Sequence, residues 1–361
     1  MKYIFFFFFI FIFCSCKNQK YNDIEQIINV DLDNSIIKVS AFITDAEVIK
    51  LETHEECLVH RISKIQYINN KIYILDIAHN SLLIFNKNGD FEKKLQKVGN
   101  GPGEYIQLMD FFIQDDHIFI MDFTTQSILK YNSDLDYINS FKYNTFGSKF
   151  VIKDDLFWIY NEPTGQKDDY QFTCLNQSNT EPNNYLPRVF KTHKHNWGDV
   201  NTLFKHKNDL YLSPKHRGII YHEKNNNLEA IYKIQFSKNN FPEKENINDY
   251  DIFDPNFNYV LKENFYVTDD YLIFDYFYNG YRSFCFYDLK NRNTFSNIVE
   301  NDLLEGFIFS PRWGNANYLI EEVASSYVKE DFYFLSNYNE QLKDINDDDN
   351  PVIILYTIKT L

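Results

Sequence analysis

Asn70-Lys71-Ile72-Tyr73-Ile74-Leu75-Asp76 recurs about 46 residues later as Asp116-His117-Ile118-Phe119-Ile120-Met121-Asp122, and this repetition decides the fold. The following strand keeps the offset, with Leu83-Ile84-Phe85-Asn86 matched by Leu129-Lys130-Tyr131-Asn132. Each copy is a polar turn, an apolar strand ending in Asp, a further turn and a second strand. A period of roughly 40–50 residues is that of antiparallel propeller blades.

Weaker copies run downstream: Asp154 to Tyr160, Asn208 to Leu212 with Gly218 to Tyr221, Asp269 to Asp275 with Ser283 to Tyr287, and Lys329 to Leu335 with Val352 to Tyr356. Neighbouring blades cover the inner strands of a blade on both faces, so these read as nearly continuous apolar runs. No blade buries both faces alone, and only ring closure removes the exposed ends. Dividing the repeat region by the offset gives between six and seven blades. A strand such as Glu47-Val48-Ile49-Lys50-Leu51 is expected to close the ring against the C-terminal blade. The spacing of Leu319, Ile320, Val323 and Tyr327 predicts one helix over Tyr318 to Val328.

Residues 1–15 stand apart from the fold. Met1-Lys2 and the apolar run Tyr3 to Phe13 have the make-up of a secretory signal, too short to span a bilayer as a helix. Ser15 before Cys16 suits cleavage and lipidation at Cys16, which places the mature chain on a membrane without spanning it. The expected organisation is a cleaved lipoprotein signal peptide (1–15), a tether and lead-in (16–45), and an all-β six-bladed β-propeller of four-stranded antiparallel blades (46–361). Removing the leader takes away one lysine and no acid, so the net charge goes from -15 to -16. Such acidity argues against a nucleic-acid partner. Cys57, Cys174 and Cys285 are too widely spaced for a disulfide framework or a paired metal motif, and read as small buried hydrophobes.

The stretch Val59 to Tyr143, with Gly99-Asn100-Gly101-Pro102-Gly103-Glu104-Tyr105 between its blades, resembles the six-bladed β-propeller lipoproteins of Bacteroidetes-type bacteria, relatives of NHL-repeat propellers. Val48 to His60 and Asn350 to Ile354 look like that family's ends, while about 160 to 260 matches poorly. The resemblance implies six blades and an envelope location, and no established reaction.

Candidate site residues follow from residue chemistry. Asp76, Asp122 and Asp275 end equivalent strands, and carboxylates repeating by blade can converge on a channel to hold Ca²⁺, or simply cap turns. The Gly99 to Glu104 loop lacks the Lys-Ser/Thr of a phosphate loop and reads as an inter-blade turn. Asp344 to Asp349 opens like a calcium loop, yet Asp349 stands where glycine belongs and Leu355 where glutamate belongs. His193 and His195, with His206, His216, His222 and Asp199, raise zinc, against ordinary surface histidines. Trp158 is mid-strand core, whereas Trp197 and Arg312-Trp313 fall in loops, where a ring and a guanidinium can bind a sugar face, a side chain or a carboxylate. No cofactor is expected beyond a channel Ca²⁺. The expected function is a binding or assembly module for a glycan, peptide or partner protein, anchored to the outer membrane, periplasmic side. The rivals are a metal-dependent hydrolase or lyase with its site at the channel mouth, and a structural subunit of an envelope complex.

Overall fold

The computed structural model describes residues 24–361 except 34–35, 163–168, 178–181, 189–199, 243–244, 246–249, 252–253, 255, 298, 305 and 331–341. Three strands precede the repeats: β1 (Gln26–Val30), β2 (Ile37–Lys38) and β3 (Ile43–Lys50). Blade 1 is β4 (Ile62–Ile68), β5 (Lys71–Asp76), β6 (Ser81–Asn86) and β7 (Phe91–Leu95). Blade 2 is β8 (Leu108–Gln114), β9 (His117–Asp122), β10 (Ser127–Tyr131) and β11 (Tyr137–Lys142). Blade 3 is β12 (Gly147–Lys153), β13 (Leu156–Asn161), β14 (Tyr170–Leu175) and β15 (Asn183–Pro187). Blade 4 is β16 (Leu203–His206), β17 (Asp209–Leu212), β18 (Ile219–Lys224) and β19 (Asn227–Phe236). Blade 5 is β20 (Leu261–Val267), β21 (Tyr271–Tyr278), β22 (Tyr281–Asp288) and β23 (Thr294–Asn297), followed by β24 (Val299–Glu300). Blade 6 holds β25 (Trp313–Gly314), β26 (Tyr318–Val323) and, after helix α1 (Ser325–Glu330), β27 (Val352–Ile358).

Turn chemistry sets the first hairpin of several blades. Asn69-Asn70, Asp115-Asp116 and Asp154-Asp155 all have φ between 50° and 59° at both positions. That is the type I′ geometry matching strand twist, and Asn and Asp tolerate it best after glycine. The second and third strands then disappear into the core: Ile72, Ile74, Leu75, Leu82, Leu83 and Phe85 are fully buried in blade 1. The first strands of successive blades touch, β8 with β12, β12 with β16, β16 with β20, and β25 with β4, so they line the axis.

Closure follows the expectation for Glu47 to Leu51. β3 pairs antiparallel with β27, Ile49 opposite Ile353, and supplies the outer strand of blade 6. The lead-in does more than tether. β1 adds in parallel to β19, covering that sheet edge, and β2 pairs with β24. Phe42 stacks on Phe286 of blade 5, centroids 4.2 Å apart. The strands from Gln26 therefore belt blades 4 to 6, and β3, the outer strand of blade 6, begins at Ile43.

Blade 6 departs from the sequence reading. Tyr318 to Val323 is a strand paired with β27, and the helix begins only at Ser325. The apolar positions 319, 320 and 323 satisfy a helix stripe and a doubly buried strand alike, and pairing with β27 decides for the strand. This makes 318–323 the second strand of the blade. Of the copy expected at 329–335, Lys329 and Glu330 belong to α1 and the rest lies outside the described residues.

Antiparallel order puts the starts of all innermost strands on one face, together with the connections from second to third and from fourth to first strands. The strand ends that flank the connections β13–β14, β15–β16, β19–β20, β24–β25 and β26–β27 all lie there. This loop face carries the site.

Candidate functional site

An inner-strand bulge aims polar side chains at the loop face in several blades. Register shifts fall between Ile62 and Lys64, Leu108 and Asp110, Gly147 and Lys149, and Lys262 and Phe265. Bulges re-aim side chains in this way. In blade 5 the bulge holds Glu263 and Asn264, and charge gathers around it. Asn264 donates to Asp275 through its backbone N–H (2.6 Å) and its Nδ2 (3.1 Å). Arg282 reaches both acids, Nη2 to Glu263 at 2.6 Å and Nε to Asp275 at 3.1 Å. Lys262 Nζ donates to the Glu263 carbonyl at 2.9 Å. Burial lowers the Lys262 ammonium to about 8, against the pull of Asp275 and Glu263. Burial likewise raises the Asp275 carboxyl, opposed by Arg282 and Asn264.

Blade 4 adds Lys215, His216 and Arg217 from its second-to-third connection. His216 is only 7% exposed, and neither ring nitrogen has a hydrogen-bond partner among the described residues. Burial drops its pKa to about 4, with Glu263 opposing and Lys215, Lys262 and Arg217 reinforcing the fall. Lys215 pairs with Glu162 of blade 3 at 3.1 Å, and Glu162 also accepts from Ser148 Oγ at 2.6 Å. Tyr160 lies beneath both Lys215 and Arg188. On the other flank, Glu321 of β26 accepts from Ser310 N–H and the Tyr356 hydroxyl, and burial lifts its carboxyl to about 7.

Of the six arginines in the chain, Arg61, Arg188, Arg217, Arg282 and Arg312 stand on the loop face, and Arg292 alone on the opposite one. In a chain this acidic that is a marked segregation. Arg282, Glu263, Lys215 and Glu162 stay between 14% and 24% exposed, above a floor of Lys262, Asp275, His216 and Tyr266. The mouth thus offers water-reachable charges of both signs, held in place by buried polar groups.

The three repeated aspartates do not form one cluster. Asp76 accepts backbone N–H from His60, Arg61 and Ala78, and Asp122 from Ile106, Gln107 and Thr124, so both tie the start of the inner strand to the turn after β5 or β9. Asp275 belongs to the Arg282 network. Among the described residues, one group of His, Cys, Asp and Glu lies within metal-ligating range: His60, Asp76 and His79. Arg312 stacks over Trp313 (5.3 Å), whose Nε1 donates to the Ser63 carbonyl of blade 1 at 3.1 Å. Trp313 therefore lies in inner strand β25, where a loop was expected, and Arg312 immediately precedes it at the mouth. Trp197, His193, His195, Asp199 and the lipidation candidate Cys16 lie outside the described residues.

His206 and His222 pair with Asp269 and Asp209. Glu104 takes the Gly101 N–H, so the glycine loop turns on itself over buried Tyr105. Asp349 pairs with Lys50 and accepts from Asn346 N–H in an acidic turn. Among the described residues Cys57, Cys174 and Cys285 are free and buried, and Trp158 is core. Lys262, Glu263, Arg282 and Glu321 escaped the sequence reading, and His216 entered it only as one of the zinc candidates. The available signal was charge interrupting an apolar strand, as in Leu261-Lys262-Glu263-Asn264-Phe265 and Ile320-Glu321-Glu322-Val323.

Fold and site together define a class: a six-bladed propeller whose loop face gathers ordered, partly buried charge of both signs across blades 3 to 6. The chain belongs to the family described as domain of unknown function DUF4934, which matches residues 25–357. A crystal structure from Bacteroides fragilis, of a protein described as exported, is similar with 21% identity and a TM-score of 0.76, covering 93% of this chain and 100% of that one. A DUF4221 member from Bacteroides vulgatus is similar at 11% identity and a TM-score of 0.54, covering 88% and 97%. No curated protein matches the chain.

Proposed function

We propose that the mature chain is a lipid-anchored envelope protein, held through Cys16 on the periplasmic side of the outer membrane, whose propeller binds a peptide segment at the loop-face mouth. The observation that carries the binding reading is the mixed-sign cluster of Arg282, Glu263, Lys215 and Glu162 over a buried polar floor. Paired donors and acceptors of both signs suit a chain of amides and charged side chains. A neutral glycan needs an open aromatic platform, and Arg312 stacks on the Trp313 ring. The leader, and the exported Bacteroides relative of the same fold, support the location.

A peptide library and a glycan array probed with the mature protein test the ligand class. Lys215→Ala and Arg312→Ala are expected to weaken peptide hits about tenfold or more, as loss of a charged hydrogen-bonding partner does. Hits confined to glycans, or indifferent to both variants, reject the reading. Radiolabelled fatty acid should enter the wild type and not Cys16→Ser; equal labelling removes the anchor.

One observation favours the rival enzyme. Lys262 near 8 and Glu321 near 7 are shifted toward neutrality around Arg282, as acid–base groups of catalytic sites are. Cleavage of those peptides by wild type, lost in Lys262→Met, moves the assignment to a hydrolase or lyase.

A further inference from the structure

We propose that His60, Asp76 and His79 form a binding site for a divalent transition-metal ion of the zinc, nickel or copper class, on the loop face of blade 1. The fold assembles the three from separate places. Asp76 ends β5 opposite Ile62, which puts it beside His60 just ahead of β4, and His79 stands in the turn leading to β6. One ligating atom from each lies within 4.8 Å of the other two. The imidazoles meet edge to face, centroids 4.0 Å apart at 85°. His79 Nδ1 donates to Asp76 Oδ2 at 2.8 Å. A metal ion takes the place of the proton between those two atoms, and the neutral ring then carries its proton on Nε2.

Asp76 is held in place as an acceptor by the backbone N–H groups of His60, Arg61 and Ala78 and by the His79 ring. It is fully buried and fixed by those donors, while His60 is exposed and the His79 side chain is 40% exposed. Three protein ligands on one side and solvent on the other give an open site with exchangeable positions. Two imidazoles and one carboxylate select zinc, nickel or copper over calcium, which prefers oxygen donors.

Blade 2 supplies the internal control. Asp122 there makes the same cap, taking the Ile106 N–H where Asp76 takes that of His60, and the Thr125 N–H and hydroxyl where Asp76 takes the N–H and ring of His79. The turn therefore forms with isoleucine and threonine, and two histidines are more than the cap requires.

The same comparison yields substitutions the fold accepts. Chelator-treated mature protein titrated with zinc in a calorimeter is expected to bind one ion at this site. His60→Ile and His79→Thr should each weaken it about tenfold or more, and the double variant should abolish it with cooperative unfolding intact. Thermal melts should rise with zinc in the wild type only, since an ion that binds the native state alone stabilises it. Equal zinc binding by wild type and H60I/H79T overturns the proposal. So does binding that survives H60I/H79T but vanishes in H193Q/H195Q, or a calcium response equal to that of zinc and lost in H60I/H79T.

Discussion

Glu321 lies in β26 with its carboxyl buried between blades, accepting from Ser310 N–H at 3.0 Å and the Tyr356 hydroxyl at 3.2 Å. Burial is the largest influence on it and lifts it from 4.5 to about 7, against those hydrogen bonds and the charge of Arg282. Between these two values the folded chain keeps a proton that the unfolded chain has released. Its contribution to stability is therefore full below about 4.5 and lost as pH rises through about 7. The shift is worth at most about 3 kcal/mol. His216 works in the opposite direction: its depressed pKa costs stability as pH falls from 6.5 to about 4. Both proteins in a comparison of wild type with Glu321→Gln carry His216, so the difference isolates the carboxyl. Glutamine keeps the shape without titrating, and the variant should gain about 1–3 kcal/mol on wild type between pH 5 and pH 8. Urea melts at the two pH values measure this, and parallel profiles would show that Glu321 does not titrate in this range.

At the scale of elements, legibility followed burial. β5, β6, β9 and β10 were plain in the sequence because two-sided burial makes them unbroken apolar runs between Asn or Asp turns. Outer strands such as β7 (Phe-Glu-Lys-Lys-Leu) and β11 (Tyr-Ile-Asn-Ser-Phe-Lys) face solvent and carry little pattern. β26 was misread because its apolar spacing serves a helix equally well, and its partner β27 lies beyond the long connection 324–351. The mouth was nearly illegible for a different reason. Arg282 and Glu263 meet through the pairing of β20, β21 and β22, and His60 reaches Asp76 through the register Ile62–Asp76, so neither arrangement has a local spacing to find. Arg312 and Trp313 were singled out from residue type as loop residues, whereas Trp313 lies in inner strand β25 with Arg312 just ahead of it. Asp76 was also singled out, but for a channel shared with Asp122 and Asp275 rather than for the histidines beside it.

At the scale of the whole molecule, one strand from the start of the chain completes the last blade. β3 pairs as a strand with β27, and in their antiparallel register Ile43 faces Ile358 while Lys50 faces Val352. The C-terminal end of β27 thus lies beside the start of β3, where a short turn can join them. Deleting residues 24–50 strips blade 6 of its outer strand, bares the edge of β27 and removes Ile49 and Val48 from the closing core. That chain is expected to lose cooperative unfolding and to aggregate. Deleting only 24–42 takes away the belt, including Ile28, Val30 and Phe42, but keeps closure, and should leave a folded, less stable propeller. A permuted chain running from Glu52 to Leu361, then through a short Gly-rich linker into Ile43 to Leu51, restores β3 as a hairpin with β27. Its melting temperature should match that of the 24–42 deletion within a few degrees. Differential scanning calorimetry of the three proteins separates belt from closure. A 24–50 deletion that melts cooperatively with the others would mean that five blades and a three-stranded sixth hold the ring without β3.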